Sequence, residues 1–144
     1  MAGHEFVNTN EAPTPPGPLS HATVVGPWVY TSGMGGLDPK TGQVVSDDVI
    51  EQTVQSIRNV EAILAAAGCT LQDVVKAVVY LCDMADYPRV NAVYEKAFAP
   101  NKPACRYCAC TTRRTTSSSA PATSAGSRRS GTWGGTRLPS RGSC

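Results

Sequence analysis

The chain has 144 residues, which suits a single domain and leaves no room for a second core of ordinary size. It has no run of about 18 apolar residues and no basic start followed by an apolar stretch, so we expect neither a membrane span nor a secretory signal. Residues 1–103 are acidic, with six basic and eleven acidic side chains, whereas residues 104–144 hold seven arginines and no acid. We expect a cytoplasmic protein with reduced cysteines.

The C-terminal segment differs in composition from the rest of the chain. Residues 104–144 contain eight Ser, seven Thr and four of the six Cys, but a single Leu and no Val, Ile, Phe or Met. Such a segment buries too little apolar area to offset the entropy cost of ordering it. We therefore divide the chain into an irregular lead-in (1–18), a domain (19–104) and a tail (105–144) that we predict not to be natively folded.

The domain is predicted to begin with a β-hairpin. Residues 21–25 and 28–32 are rich in β-branched and aromatic side chains, and the Gly26-Pro27 pair between them is typical of a turn. His21 lies in the first of these runs. We interpret it as a buried structural histidine rather than as a general base.

A glycine-rich segment follows the hairpin. Residues 33–36 read Gly-Met-Gly-Gly and could form a phosphate loop, but they lead into a turn at 38–42 instead of a helix. This arrangement favours a strand-ending turn. Residues 43–45 form at most a short third strand.

The strongest periodic pattern predicts a helix over residues 48–67. Apolar side chains recur at helical spacing from Ile50 to Leu64. Asp48 and Glu51 have the spacing of a capping box, and Gly68 is a suitable residue to end the helix.

A strand and a second helix are predicted next. Residues 74–82 are almost continuously apolar, which indicates a central strand covered on both faces, or by helices on one face and a partner subunit on the other. Cys69 and Cys82 lie among apolar residues and are predicted to be core residues. Asp86 is predicted to cap the second helix, which Ala99-Pro100 ends.

The order of these elements predicts an α+β fold, a mixed sheet with two helices on one face. The other face of the sheet must also be covered. In a domain of this size, self-association is the simplest way to cover it.

Several sequence motifs, taken in order, resemble those of one family. They are Leu19-Ser20-His21-Ala22, Tyr30-Thr31-Ser32-Gly33-Met34, Asp38-Pro39-x-Thr41-Gly42, Glu51-Gln52-Thr53-x-Gln55-x-Ile57-x-Asn59-Val60, Leu64-x-Ala66-x-Gly68, Val74-Val75-Lys76-x-x-Val79-Tyr80-Leu81-x-Asp83-Met84, Val90-Asn91-x-Val93-Tyr94 and Phe98…Pro103-Ala104. Residues 18–103 thereby resemble the Rid family, the RidA/YjgF reactive intermediate deaminases, also called RutC-like or endoribonuclease L-PSP proteins.

The resemblance implies a chorismate-mutase-like fold and a homotrimer with clefts between subunits. It also implies hydrolytic deamination of enamine or imine compounds that carry a carboxylate, such as 2-aminoacrylate and 2-iminopropanoate, to 2-keto acids and ammonia. No metal or cofactor is implied, and the partner is a small molecule rather than a membrane or a nucleic acid.

The resemblance also implies site residues. Ser32, Gly33 and Asn91 match positions that bind substrate. The carboxylate-binding arginine that follows Pro-Ala in the family is replaced by Cys105, and Arg106 is the nearest catalytic candidate. The last two strands of the family pattern are not recognisable in the sequence, so we predict that they are missing.

We hypothesise that residues from about 105 onward are encoded out of frame. Back-translating residues 104–111 and moving forward one base permits Arg followed by Val, Ala or Ile at most positions, which describes an arginine at the start of a strand. A tail rich in Cys, Arg, Ser and Thr is typical of the wrong frame of GC-rich DNA.

Three alternatives remain open at this stage. The arginine-rich tail could bind RNA and make this a ribonuclease-like protein, although residues 1–103 offer no basic patch interleaved with aromatic residues. The chain could be a Rid homologue that binds a small ligand without catalysis. Cys105, Cys108 and Cys110 could bind zinc, but the sequence does not place the fourth ligand, which would be Cys144 or His21.

Overall fold

A computed structural model describes residues 3–109 and the backbone of residues 131–137. These residues form a six-stranded sheet with two α-helices. The elements are β1 (His4–Val7), β2 (Ala22–Val25), β3 (Trp28–Thr31), α1 (Val49–Ala66), a 3₁₀ turn (Leu71–Asp73), β4 (Val74–Leu81), a second 3₁₀ turn (Met84–Asp86), α2 (Tyr87–Phe98), β5 (Ala104–Ala109) and β6 (Gly131–Arg137). The predicted α+β fold is confirmed. Within the described ranges, no helix is long and apolar enough to cross a bilayer.

The sheet has the strand order β1-β2-β3-β6-β4-β5. Strands β4 and β5 run parallel, and the other neighbouring pairs are antiparallel. The predicted hairpin is present as β2 and β3, joined through Gly26, whose φ of 55° is one that glycine adopts without strain. Residues 43–45 contribute only a single bridge, between Leu37 and Val44.

Helix α1 agrees with its predicted span but not with its predicted cap. Gly68 follows the helix with φ of 76°, as expected for a residue that ends a helix. The Asp48 side chain makes no capping hydrogen bond, so the predicted capping box is wrong. Its carboxylate instead accepts a hydrogen bond of 2.9 Å from the Arg89 guanidinium on α2, which ties the two helix starts together.

The core lies between the helices and one face of the sheet. Ala77, Val79 and Leu81 of β4 are buried on this face, as are Ile63 and Leu64 of α1. The alternation along β4 shows that the helices cover only one side of this strand.

The two cysteines predicted to be core residues differ in burial. Cys69 is 3% exposed and joins the core, as predicted. Cys82 is exposed, so its prediction is wrong. It directly follows Leu81, which is buried under the helices, and successive side chains of a strand point to opposite faces.

The two ends of the chain contain strands that the sequence did not indicate. Residues 4–7, within the segment predicted to be irregular, form β1 against β2. The last two strands, predicted to be missing, are present as β5 and β6, so that prediction is wrong. Strand pairing uses the backbone N–H and C=O groups, and every residue except proline carries both. A segment with few apolar side chains can therefore still pair with β4, as β5 and β6 do.

The sheet face opposite the helices carries large exposed apolar side chains. Phe6 is 61% exposed, Tyr30 54% and Trp28 38%. The strand register places Phe6 and Tyr30 on either side of Thr23, which makes them neighbours on this face. We call the surface formed by Phe6, Thr23, Val25, Trp28 and Tyr30 the open sheet face.

Candidate functional site

His21 has a structural role. It is 3% exposed, its Nε2 lies 3.0 Å from the Pro13 carbonyl oxygen, and its Nδ1 accepts a hydrogen bond of 3.3 Å from the Thr9 backbone N–H. These partners fit a neutral ring protonated on Nε2. Both ring nitrogens are occupied, so the interpretation of His21 as a structural histidine is confirmed.

The glycine-rich segment packs against the side of α1. The Ser56 hydroxyl donates to the Met34 carbonyl (2.8 Å), and the Asn59 amide donates to the Gly35 carbonyl (3.1 Å). A Cβ on Gly36 would lie 2.5 Å from the Gln52 Cα. The segment therefore lies along the side of a helix with its carbonyl groups accepting hydrogen bonds from helix side chains, and the prediction of a strand-ending turn rather than a phosphate loop is confirmed.

Ser32 and Gly33 lie directly after β3. The Ser32 backbone N–H donates to the His21 carbonyl (2.8 Å), and its hydroxyl donates to the Ser20 carbonyl (2.7 Å). The hydroxyl oxygen retains lone pairs that can accept a hydrogen bond. Gly33 is exposed next to it.

Asn91 lies on α2, where the helix packs against β5. The Tyr107 hydroxyl on β5 donates to the Asn91 Oδ1 across 3.1 Å. The Asn91 amide nitrogen has no partner within the described part of the chain, so its two N–H groups can donate to a ligand.

Aromatic rings hold Tyr107 in place. The ring centroids of Tyr87 and Tyr107 are 4.6 Å apart in a T-shaped arrangement, and those of Tyr94 and Tyr107 are 6.2 Å apart. Edge-to-face contacts of this kind are favourable and fix ring orientation.

The register of β5 places Cys105 and Arg106 on opposite faces. Cys105 pairs with Ala77 and Tyr107 with Val79, and both partners are buried under the helices. Arg106 pairs with Val78 and projects to the other side of the sheet. Cys105 therefore shares the face of Asn91 and Tyr107, and Arg106 does not.

Tyr94 completes this group of polar side chains. Its hydroxyl is buried without a hydrogen-bond partner among the described residues, and burial raises its pKa well above the usual value. Burial also raises the pKa of Tyr107 and of the Cys105 thiol. At neutral pH the group is an uncharged set of donors. We call Asn91, Tyr94, Cys105 and Tyr107 the α2–β5 cluster.

Within one chain, Ser32 and Gly33 do not lie next to the α2–β5 cluster. Two strands, β6 and β4, lie between β3 and β5. At about 4.8 Å per strand spacing, Ser32 and Gly33 lie roughly 14 Å to the side of the α2–β5 cluster.

The tyrosines of this cluster were not predicted from the sequence as site residues. A signal was present, because Tyr87, Asn91 and Tyr94 recur at the spacing of one helix face. Tyr107 gives no such signal. Only the pairing of β5 with β4 brings it to α2.

Comparison with known proteins agrees with this architecture. Residues 9–115 match the family described as Endoribonuclease L-PSP. The chain belongs to this family. It is 45% identical over 100 residues to a RutC family protein of Pyrococcus abyssi, an alignment that covers 69% of this chain and 79% of that protein. It is 43% identical over 98 residues to the human 2-iminobutanoate/2-iminopropanoate deaminase, covering 68% of this chain and 72% of the human protein.

Solved structures of L-PSP proteins share the fold. The Escherichia coli YjgF gene product has a TM-score of 0.78 at 30% identity, covering 94% of this chain and 99% of the other. RidA from an Antarctic Psychrobacter has a TM-score of 0.79 at 28% identity, covering 93% and 99%. The membership in the Rid family that the sequence motifs predicted is confirmed.

Proposed function

We propose that this L-PSP protein is a hydrolytic deaminase of small enamine or imine compounds that carry a carboxylate. The observation that carries the proposal is the Asn91–Tyr107 pair, in which the Tyr107 hydroxyl binds the Asn91 Oδ1 and leaves the two amide N–H groups without a partner among the described residues. The 43% identity to a 2-iminobutanoate/2-iminopropanoate deaminase supports this chemistry.

The reaction requires little of the protein. An imine carbon is already electrophilic, so the site has to hold the substrate and admit a water molecule. Asn91 donates to a substrate oxygen, and Tyr107 fixes the amide so that its N–H groups rather than its oxygen face the substrate. Water adds to the imine carbon, and ammonia leaves from the resulting tetrahedral species to give the 2-keto acid.

A second copy of the chain completes the proposed site. Ser32 and Gly33 lie too far from the α2–β5 cluster to act with it in one chain, but they can meet the cluster of a neighbouring copy. The exposed Phe6, Trp28 and Tyr30 on the open sheet face support packing between copies. The proposed assembly is a homotrimer with its sites in the clefts between subunits.

In the proposed site, no guanidinium binds the carboxylate of the substrate. A guanidinium binds a carboxylate with two parallel, charge-assisted hydrogen bonds, and a thiol cannot replace it. Arg106 lies on the other face of β5 and does not reach the α2–β5 cluster. We therefore expect little hydrolysis of 2-iminopropanoate by this chain.

Two substitutions test the proposal by the rate of 2-keto acid formation from 2-iminopropanoate. Cys105→Arg should raise the rate at least about tenfold, because a charge-assisted contact contributes about 1.5–3 kcal/mol. Arg106→Ala should leave the rate unchanged. In the Cys105→Arg background, Asn91→Ala should abolish the gain, and Asn10→Ala, at an exposed position outside the α2–β5 cluster, should not.

Two results would contradict the proposal. Efficient hydrolysis that Arg106→Ala abolishes would make Arg106 the carboxylate contact and the register argument wrong. No gain from a correctly folded Cys105→Arg protein would favour the second candidate, a homologue that binds a small ligand without catalysis. The presence of Cys105 in place of the arginine is the observation that favours this candidate.

A further inference from the structure

An open groove lies between α1 and α2, with a volume of about 510 Å³. Its floor is apolar and consists of Val54 and Ile57 from α1, Leu71 from the first 3₁₀ turn, and Val93 and Ala97 from α2. The volume is in the range of sites for small organic ligands, which is about 300–1,000 Å³.

Three charged side chains surround this floor. Arg58 and Glu61 lie one turn apart on α1, and Lys96 lies across the groove on α2. Each is exposed, and none makes a hydrogen bond or an ion pair with another residue of the described ranges. The groove therefore presents two cations and one anion, all available to a ligand.

The groove is distinct from the proposed catalytic site. Val93, Lys96 and Ala97 occupy a different face of α2 from Asn91 and Tyr94, which face β5. The groove also lies on the helix layer, away from the open sheet face where copies of the chain are proposed to pack. It stays accessible in that assembly.

We propose that this groove binds an apolar α-amino acid as its zwitterion. The carboxylate of the ligand lies between Arg58 and Lys96, its ammonium group pairs with Glu61, and its side chain packs on the apolar floor. The pattern of two cations and one anion around an apolar surface matches both charges and the side chain of such a ligand. A simple aliphatic acid would leave Glu61 unpaired beside its own negative charge. This binding goes beyond the proposed deaminase activity and does not depend on it.

The test is a titration of the full chain, ¹⁵N-labelled, followed by amide chemical shifts. Three probes share one carbon skeleton: L-leucine, 4-methylpentanoate, which lacks the ammonium group, and L-leucinamide, which lacks the carboxylate. Leucine should bind tightest and shift amides of residues 54–61 and 93–97. Both analogues should bind more weakly than leucine, by up to about fivefold for each ion pair lost, since an exposed ion pair contributes up to about 1 kcal/mol.

Variants assign each charge. Glu61→Gln should weaken leucine binding about fivefold and leave 4-methylpentanoate binding equal or tighter. Arg58→Gln and Lys96→Gln should weaken both of these ligands and leave leucinamide unaffected. Glu95→Gln, on the exposed side of α2 outside the groove, is the control and should change nothing.

Three outcomes would overturn the proposal. The first is the absence of localised shifts in the folded protein up to the solubility limit of leucine. The second is equal loss of all three probes on Glu61→Gln. The third is shifts centred on Asn91 and Tyr107, which would place leucine in the α2–β5 cluster. None of these outcomes affects the deaminase proposal, whose test is the rate of keto acid formation.

Discussion

At the scale of single residues, two consecutive residues of β5 lie on opposite faces of the sheet. Cys105 lies on the same face of the sheet as Tyr107, the face that the helices cover, and Arg106 lies on the opposite face. Because side chains alternate along a strand, an arginine one position late contributes no charge to the α2–β5 cluster. Arg106 is therefore not expected to replace the arginine that the proposed function requires at position 105.

The same cluster predicts a loss of stability in alkaline solution. Burial raises the pKa of Cys105 above its ordinary value of 9.0, and those of Tyr94 and Tyr107 above 10.0. Groups with a raised pKa in the folded state stabilise it below the unfolded-state pKa, and this contribution is lost as the pH rises toward the folded-state values. The free energy of unfolding should thus fall between about pH 8 and about pH 10.5.

Urea unfolding at both pH values measures this effect. Tyr94→Phe should reduce the alkaline loss, and it should not destabilise the protein strongly at pH 8, because the buried Tyr94 hydroxyl has no hydrogen-bond partner among the residues that the structure describes. Tyr30→Phe removes a tyrosine hydroxyl that lies outside the α2–β5 cluster, so it is the control and should keep the loss that the cluster causes. An equal alkaline loss in wild type and Tyr94→Phe would show that the cluster does not cause it.

At the scale of elements, side chains of α1 bind the segment that connects β3 to α1. Ser56 and Asn59 donate hydrogen bonds to carbonyl groups of that segment, and Asn59 also reaches the Leu37 carbonyl at 2.8 Å. These bonds require the segment to lie directly on the helix. Gly36 permits the approach because it has no side chain.

Gly36→Ala should therefore destabilise the fold. The added Cβ would lie 2.5 Å from the Gln52 Cα and 2.6 Å from the Gln52 carbonyl oxygen, and backbone atoms cannot move aside easily. We expect a loss of about 1–3 kcal/mol in the free energy of unfolding. Gly3→Ala, where a Cβ meets nothing within 4 Å, is the matched control. Equal stability of the two variants would argue against the close packing.

At the scale of the whole molecule, the open sheet face predicts self-association. Tyr30→Glu places a charge among Phe6, Trp28 and Val25, where burial against another copy would be unfavourable. Sedimentation should show a trimer for the wild type and a monomer for Tyr30→Glu. Ala65→Glu, which adds the same charge at an exposed position of α1, should remain trimeric. A monomeric wild type would contradict the assembly.

The hypothesis of a shifted reading frame makes a separate prediction. Sequencing the source DNA through codon 103 should reveal the shift, and a protein with the frame restored after Ala104 should hydrolyse 2-iminopropanoate faster than the present chain. The alignment with the Pyrococcus abyssi protein covers only 69% of this chain, which is consistent with a divergent end. A continuous frame, with related genes that encode the same tail, would contradict the hypothesis.

Much of the fold could be predicted because its signals are local. The hairpin at Gly26, the periodicity of α1 and its end at Gly68 each depend on residues close together in the chain. The prediction from composition was wrong for β5 and β6, because it treated residues 104–144 as one unit. It also ignored that a segment can pair with β4 through backbone hydrogen bonds alone.

The sequence by itself was enough to predict the elements from β2 to α2, because these depend on local patterns. It was also enough to predict the family, because the family motifs occur in order along the chain. The tertiary structure decided which residues meet. The contact of Asn91 with Tyr107 and the separation of Ser32 from both of them follow from strand order and register. These depend on pairings between distant segments, and a shift of one residue would have reversed the face on which Cys105 and Arg106 lie.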